Sequence, residues 1–141
     1  MTKKFYVCLL VLIIAVIAFF GYRYREQNLA NLVKIKDVEK VYIITGNKGS
    51  KEFQLIKPDD ETIHDLSEFL SQYRVKLTNQ EGWSSEHPNE QFTLYLGYKD
   101  GDLKIYTFER DIVAWTRGYK VLNPPMDYKA IEKLEQRLIS E

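Results

Sequence analysis

The sequence predicts an α+β fold: a two-layer domain whose mostly antiparallel sheet is covered by two amphipathic helices, preceded by one transmembrane helix. Three observations carry this. Residues 5–22 form an apolar run without charge or proline. Beyond it, short segments alternate apolar and polar residues with period two, the signature of half-buried strands. Two other segments, at 60–73 and 127–138, repeat apolar residues at helical spacing instead.

The apolar run comes first. As a helix it reaches about 27 Å, close to the hydrocarbon thickness of a bilayer. A cleaved signal peptide wants a shorter apolar core and a small-residue cleavage site. The nearest candidate, Val16-Ile17-Ala18, is followed by Phe19, Phe20 and Tyr22, which continue the run. Cys8, the only cysteine, comes too early for a lipoprotein signal. A retained anchor is therefore expected. Lys3 and Lys4 precede it, while Arg23, Arg25, Lys34 and Lys36 follow. Charge counting alone leans toward an outside N-terminus, but it weakens when a whole domain is translocated. With a Lys-Lys pair heading the run, the expectation is a single-pass protein of the cell membrane, N-terminus inside and C-terminal domain extracytoplasmic. The expected organisation is an N-terminal tail (1–4), the anchor (5–22), a juxtamembrane stalk (23–36) and an α+β domain (37–141).

Within that domain, residues 38–45 form the first strand, with Val41 and Ile43 on one face and Tyr42 and Ile44 on the other. A turn at 46–50 leads to a second alternating segment, 52–57, and the two are expected to pair as a hairpin. Pro58-Asp59-Asp60-Glu61-Thr62 opens a helix, because carboxylates and a hydroxyl satisfy its free N–H groups. Ile63, Leu66, Phe69, Leu70 and Tyr73 make its apolar stripe. A third strand begins at 75–77. Residues 78–90 are thirteen irregular positions, long for a connection in a small domain. Clean alternation returns at 91–98, an Asp-Gly turn follows at Asp100-Gly101, and 103–108 is the partner strand. Residues 112–115 and 119–122 form two more strands. Asn123-Pro124-Pro125 ends the sheet, and Asp127 caps a last helix with Tyr128, Ile131, Leu134 and Leu138 on one face.

The segments Lys40-Val-Tyr-Ile-Ile44, Asp60-Glu-Thr-Ile-His-Asp-Leu-Ser-Glu-Phe-Leu70 and Gly118-Tyr-Lys-Val-Leu122 before a terminal helix resemble the small membrane-associated, YhfM-like domains of Gram-positive bacteria. The resemblance is one of pattern over most of residues 37–139. It implies this fold and a membrane location. It carries over no activity and no site residues, and a lipoprotein cysteine is absent here.

All twenty acidic residues and eighteen of the twenty basic ones follow the anchor, leaving that part at −2. Nucleic-acid binders show a basic excess, so that class is not expected. His64 and Asp65, adjacent near a helix start, read as surface residues. His87 with Glu81, Glu86 and Glu90 falls short of zinc, which takes four protein ligands, or three and water. No metal or cofactor is expected. Ser84-Ser85 near His87 lacks a nucleophile turn and a positioned acid. Gly46 and Gly49 do not make a phosphate loop.

The binding candidates are Trp83, Glu86, His87, Arg110, Trp115 and Arg117. Trp83 stands in the polar loop, as contact-patch aromatics do, unless it folds back over one end of the sheet. Trp115 ends a strand and is expected in the core. Arg110, Arg117 and Lys120 beside it suit either acidic side chains or an anionic partner. The leading expectation is a non-enzymatic, membrane-anchored binding or accessory domain at the cell envelope, acting on a protein or other envelope component. An immunity-type, self-protective role is one form of it. The alternatives are an envelope-acting hydrolase using Glu81, Glu86, His87 and Glu90, and a cytoplasmic-facing accessory subunit of a membrane complex.

Overall fold

The computed structural model describes residues 2–46, 53–79, 86–123 and 125–140. Helix α1 (Thr2–Arg23) is exposed along its apolar length and has a mean hydropathy of 2.7 over its core window. It is long and apolar enough to cross a membrane.

No stalk follows it. After Tyr24, Arg25 and Glu26 the chain enters the fold as strand β1 (Gln27–Asn28) and the short helix α2 (Leu29–Leu32). Asn28 caps α2 by accepting from the Ala30 N–H at 2.9 Å, and its amide donates to the Ser71 carbonyl. Leu29 and Val33 are fully buried, and Ile35 nearly so. Lys34, at φ 52°, turns the chain into a 3-10 turn, Ile35–Asp37. The expected stalk at 23–36 is thus corrected: from Gln27 on the chain belongs to the fold, with Leu29, Ala30, Val33 and Ile35 buried in the core. Its apolar residues are too few to make a long stripe, but each meets a non-local partner. The Leu29 N–H bonds the Tyr73 carbonyl, and the Tyr98 hydroxyl donates to the Val33 carbonyl.

Strands β2 (Val38–Thr45), β3 (Arg74–Leu77), β4 (Gln91–Tyr98), β5 (Leu103–Glu109), β6 (Ile112–Ala114) and β7 (Gly118–Val121) complete a curled seven-stranded sheet. Its order is β1-β3-β7-β6-β5-β4-β2, and every pairing is antiparallel. The consecutive hairpins β4 to β7 form as expected, with Gly101 taking φ +90° in the Asp-Gly turn. The first hairpin does not. Strand β2 pairs with β4 (Tyr42 opposite Tyr95), and the 53–57 segment keeps a single bridge between Ile56 and Val41. Pro58 lacks an N–H and stops that pairing two residues on, whereas β4 offers eight residues of matching alternation. The turn expected at 46–50 falls, beyond Gly46, outside the described residues.

Helix α3 (Asp60–Ser71) carries the chain from one edge of the sheet, β2, to β3 near the other. Asp59 caps it by accepting from the Thr62 N–H at 2.6 Å, which holds the Asp59 carboxyl below its ordinary pKa. Helix α4 (Tyr128–Ser140) is capped by Asp127, which accepts from the Ala130 N–H at 3.1 Å. The helices lie together, bridged by Arg137 to Asp65 at 2.5 Å, and α4 packs on β2. Leu66, Phe69, Leu70, Ile131, Leu134 and Leu138 are buried, as the stripes predict. They join Phe92, Leu94, Leu96, Tyr106, Phe108, Val113 and Val121 in one core. Phe92 and Phe108 are cross-strand partners with stacked rings 4.5 Å apart. Glu135 also lies on the buried side of α4, where its carboxylate accepts from the Thr45 hydroxyl.

Candidate binding cleft

The face of the sheet away from the helices is set by strand parity. Thr107 and Glu109 on β5, Ile112 and Ala114 on β6, and Gly118 and Lys120 on β7 fall opposite one another there. Beside them is an open cleft of about 1660 Å³, which reaches from the end of α1 (Arg23, Tyr24) to Glu86 and His87.

One end of the cleft is organised by the two-residue turn Arg110-Asp111 between β5 and β6. Arg110 adopts φ +46°, a left-handed conformation that costs a side-chain-bearing residue about 1–2 kcal/mol. Tertiary hydrogen bonds hold it: the Arg110 carbonyl accepts from the Met126 N–H at 2.9 Å, and the Asp111 carbonyl from the Val121 N–H at 2.6 Å. The turn aims the guanidinium at the far end of the 78–90 connection. Its Nε lies 3.0 Å from the Glu90 carboxylate and its Nη1 3.2 Å from His87 Nε2. A guanidinium only donates, so His87 Nε2 can pair with it only as the acceptor. Glu109 is buried and accepts from the His87 backbone N–H. The 3-10 turn Pro88–Glu90 presents Glu90 to Arg110.

At the other end, the β6–β7 turn is closed by the Trp115 N–H bonding the Arg117 carbonyl at 3.1 Å. Trp115 is not the core residue expected. It retains 40% of its exposure, because the strand ends at Ala114 and the ring covers only the margin of the core. It packs 5.5 Å from Tyr106, with the Lys104 ammonium 5.2 Å from its ring and 4.8 Å from that of Tyr98. Burial raises the pKa of both tyrosines above the ordinary phenol value. Arg117 and Lys120 are exposed, with no side-chain partner among the described residues. The Tyr24 hydroxyl donates to Asn79, which ties the end of α1 to this end of the cleft.

Glu86, His87, Arg110, Trp115 and Arg117 therefore line one cleft although they come from three separate stretches of chain. Trp83 and Glu81 lie outside the described residues. Sequence reasoning missed Glu109, Asp111, Arg23 and Tyr24. The one available signal for Glu109 was parity: continuing the 103-105-107 alternation puts a carboxylate on the cleft face. His64 is exposed on α3, as expected, whereas Asp65 beside it holds Arg137.

The chemistry of the arrangement is one of mutual neutralisation. Glu90 is paired with Arg110, His87 Nε2 faces the same guanidinium, and Glu109 is occupied by a backbone donor. Among the described residues, no group of three His, Cys, Asp or Glu side chains is placed to hold a metal ion. The molecule is thus an α+β domain carried directly on one helix of membrane-spanning length. No family model, curated protein or solved structure matches the chain.

Proposed function

We propose that this is a membrane-anchored, non-enzymatic binding domain that offers the β6–β7 cleft to a protein or other envelope component at the membrane surface. One observation carries the reading. The cleft starts where α1 ends, and at its far end His87 faces Arg110, which is itself paired with Glu90, while Glu109 holds the His87 backbone N–H. Such a surface recognises a shape and a charge pattern. The anchor spans the bilayer with its N-terminus inside, and the domain acts on the extracytoplasmic side. Self-protection against an envelope-active toxin is one form this takes.

The test is capture of a partner from cross-linked membranes by the full chain, comparing wild type with Trp83→Ala, Arg110→Gly and Arg117→Glu. Loss of the captured species with an unchanged thermal midpoint supports the reading; retention in all three overturns it. A reporter fused after the C-terminus and active only outside the cytoplasm supports the orientation, and cytoplasmic activity favours an accessory subunit of an inner-facing complex. An envelope hydrolase using Glu81, Glu86, His87 and Glu90 draws support from the proximity of His87 and Glu90. It requires His87→Ala to abolish turnover without affecting partner capture.

A further inference from the structure

We propose that the open face of the β1–β3–β7 edge docks on the anionic headgroups of the bilayer that holds α1, through Lys76, Arg117 and Lys120. This rests on α1 crossing the membrane, and two of the three cations, Arg117 and Lys120, also belong to the lining of the cleft.

The first observation is electrostatic. Lys76 and Lys120 are direct cross-strand partners in the β3–β7 ladder, so both ammonium groups leave the same face of the sheet. Both are exposed, and neither forms an ion pair among the described residues. Like charges placed opposite each other disfavour the pairing they sit on, and a counter-anion relieves this. Arg117 extends the pair toward the β6–β7 turn, one residue before β7 begins. The neighbouring acid at this edge, Glu26, is spoken for by Arg74 at 2.6 Å.

The second observation is the tether. Only Tyr24, Arg25 and Glu26 separate α1 from β1. Even fully extended, such a link spans no more than about 14 Å. Strand β7 lies two strands from β1 in the sheet, about 10 Å away. The bond from Tyr24 to Asn79 draws the end of β3 toward the helix as well. The link and the two strand spacings together keep the three cations within about 24 Å of the helix end, about three Debye lengths at physiological salt.

The third observation is the helix end itself. Arg23 and Arg25 stand there, with the Arg25 guanidinium 4.1 Å from the Tyr22 ring. Tyrosine and cationic side chains at a helix end suit the headgroup level. Lys76, Arg117 and Lys120 continue that positive surface onto the domain. Each lysine or arginine near an anionic membrane shifts such an equilibrium by about fivefold.

The experiment uses the full chain with Cys8→Ser and Thr116→Cys, labelled at the exposed turn position with bimane and reconstituted into vesicles. One set is phosphatidylcholine alone; the other contains about one third phosphatidylglycerol. Quenching by acrylamide, which is uncharged, reports access to the turn. The expected result is an at least twofold lower quenching constant in the anionic vesicles, lost in about 0.5 M salt and in Lys76→Gln/Arg117→Gln/Lys120→Gln. Equal quenching in the two lipids, or protection that survives both salt and the triple change, overturns the proposal. Should the triple variant melt early, Lys76→Gln and Lys120→Gln singly must each lose part of the protection. Retention of the chain by phosphatidylcholine vesicles through alkaline extraction is read separately. Release there defeats the anchor itself, whatever the quenching shows.

Discussion

The helix-covered face of the sheet and the cleft along β6–β7 use the same strands in opposite ways. On the covered face, alternate residues such as Phe92, Leu94, Leu96, Tyr106 and Phe108 contact one another and the helices, and their energy comes from exclusion of water. On the cleft face, Thr107, Glu109, Ala114, Gly118 and Lys120 are polar, charged or small, with Ile112 among them. Their arrangement there is maintained by pairing, as Arg110 pairs with Glu90 and His87. A strand two residues per repeat wide can therefore carry a core and a recognition surface at once. Substitutions on the two faces should separate stability from binding.

The largest effect is expected on the covered face. Phe108→Ala removes a fully buried ring stacked on Phe92 and should lower unfolding free energy by about 3–5 kcal/mol. Leu66, Leu70, Leu134 and Leu138 changed to Ala should each cost about 2–5 kcal/mol. Denaturant titration of the full chain in micelles measures both, and values under about 0.5 kcal/mol at all four leucines would separate the helices from the core.

Next comes Glu135, a carboxyl buried on the inner side of α4. Thr45→Val leaves the buried Glu135 carboxylate without its hydroxyl donor and should cost about 1–3 kcal/mol. If the variant is as stable as wild type, Glu135 is satisfied by its other contacts and the Thr45 bond is incidental.

The comparison is sharpest at Arg110. Arg110→Gly removes the guanidinium but relieves the left-handed backbone, so stability should stay within about 1 kcal/mol of wild type while partner capture fails. Arg110→Ala keeps the strain and loses the same contacts, and should melt lower than the glycine variant. Reversal of that order would mean the turn is not held as described.

The smallest effects concern pH and the exposed helix surface. The Asp59 carboxyl is lowered by the N–H of Thr62, so its capping contribution is full above the unfolded carboxyl pKa and fades as pH falls through the lower folded value. Thermal midpoints of Asp59→Ala and wild type should differ at neutral pH and converge in strong acid. A constant gap would show that charge plays no part in the cap. His64→Ala should leave the midpoint unchanged.

Elements were legible in the sequence where their signal is local. The apolar length of α1, the stripes at 66, 69, 70 and 73 and at 131, 134 and 138, and the alternation of β2, β4 and β5 all predicted what forms, because period and burial are coupled within a few residues. The Asp-Gly turn and the caps at Asp59 and Asp127 were readable for the same reason. Glu86, His87, Arg110, Trp115 and Arg117 could be named one by one, since their chemistry is in the side chains, but not that they line one cleft.

Partner choice belonged to the tertiary structure. Alternation in β2 suits any neighbour, and it was the longer ladder with β4, against a segment cut short by Pro58, that decided. Residues 23–36 looked like a stalk because Leu29, Leu32, Val33 and Ile35 are too few to make a long stripe, and they gain burial only from helices and strands distant in the chain. Trp115 was placed by where β6 ends, and Glu109 by the parity of a strand whose other neighbours are non-local. The amino-acid sequence alone determined the long strands, the two amphipathic helices and the membrane-length helix. Which faces meet was settled only when burial of distant apolar groups selected one pairing among several that local structure allows equally.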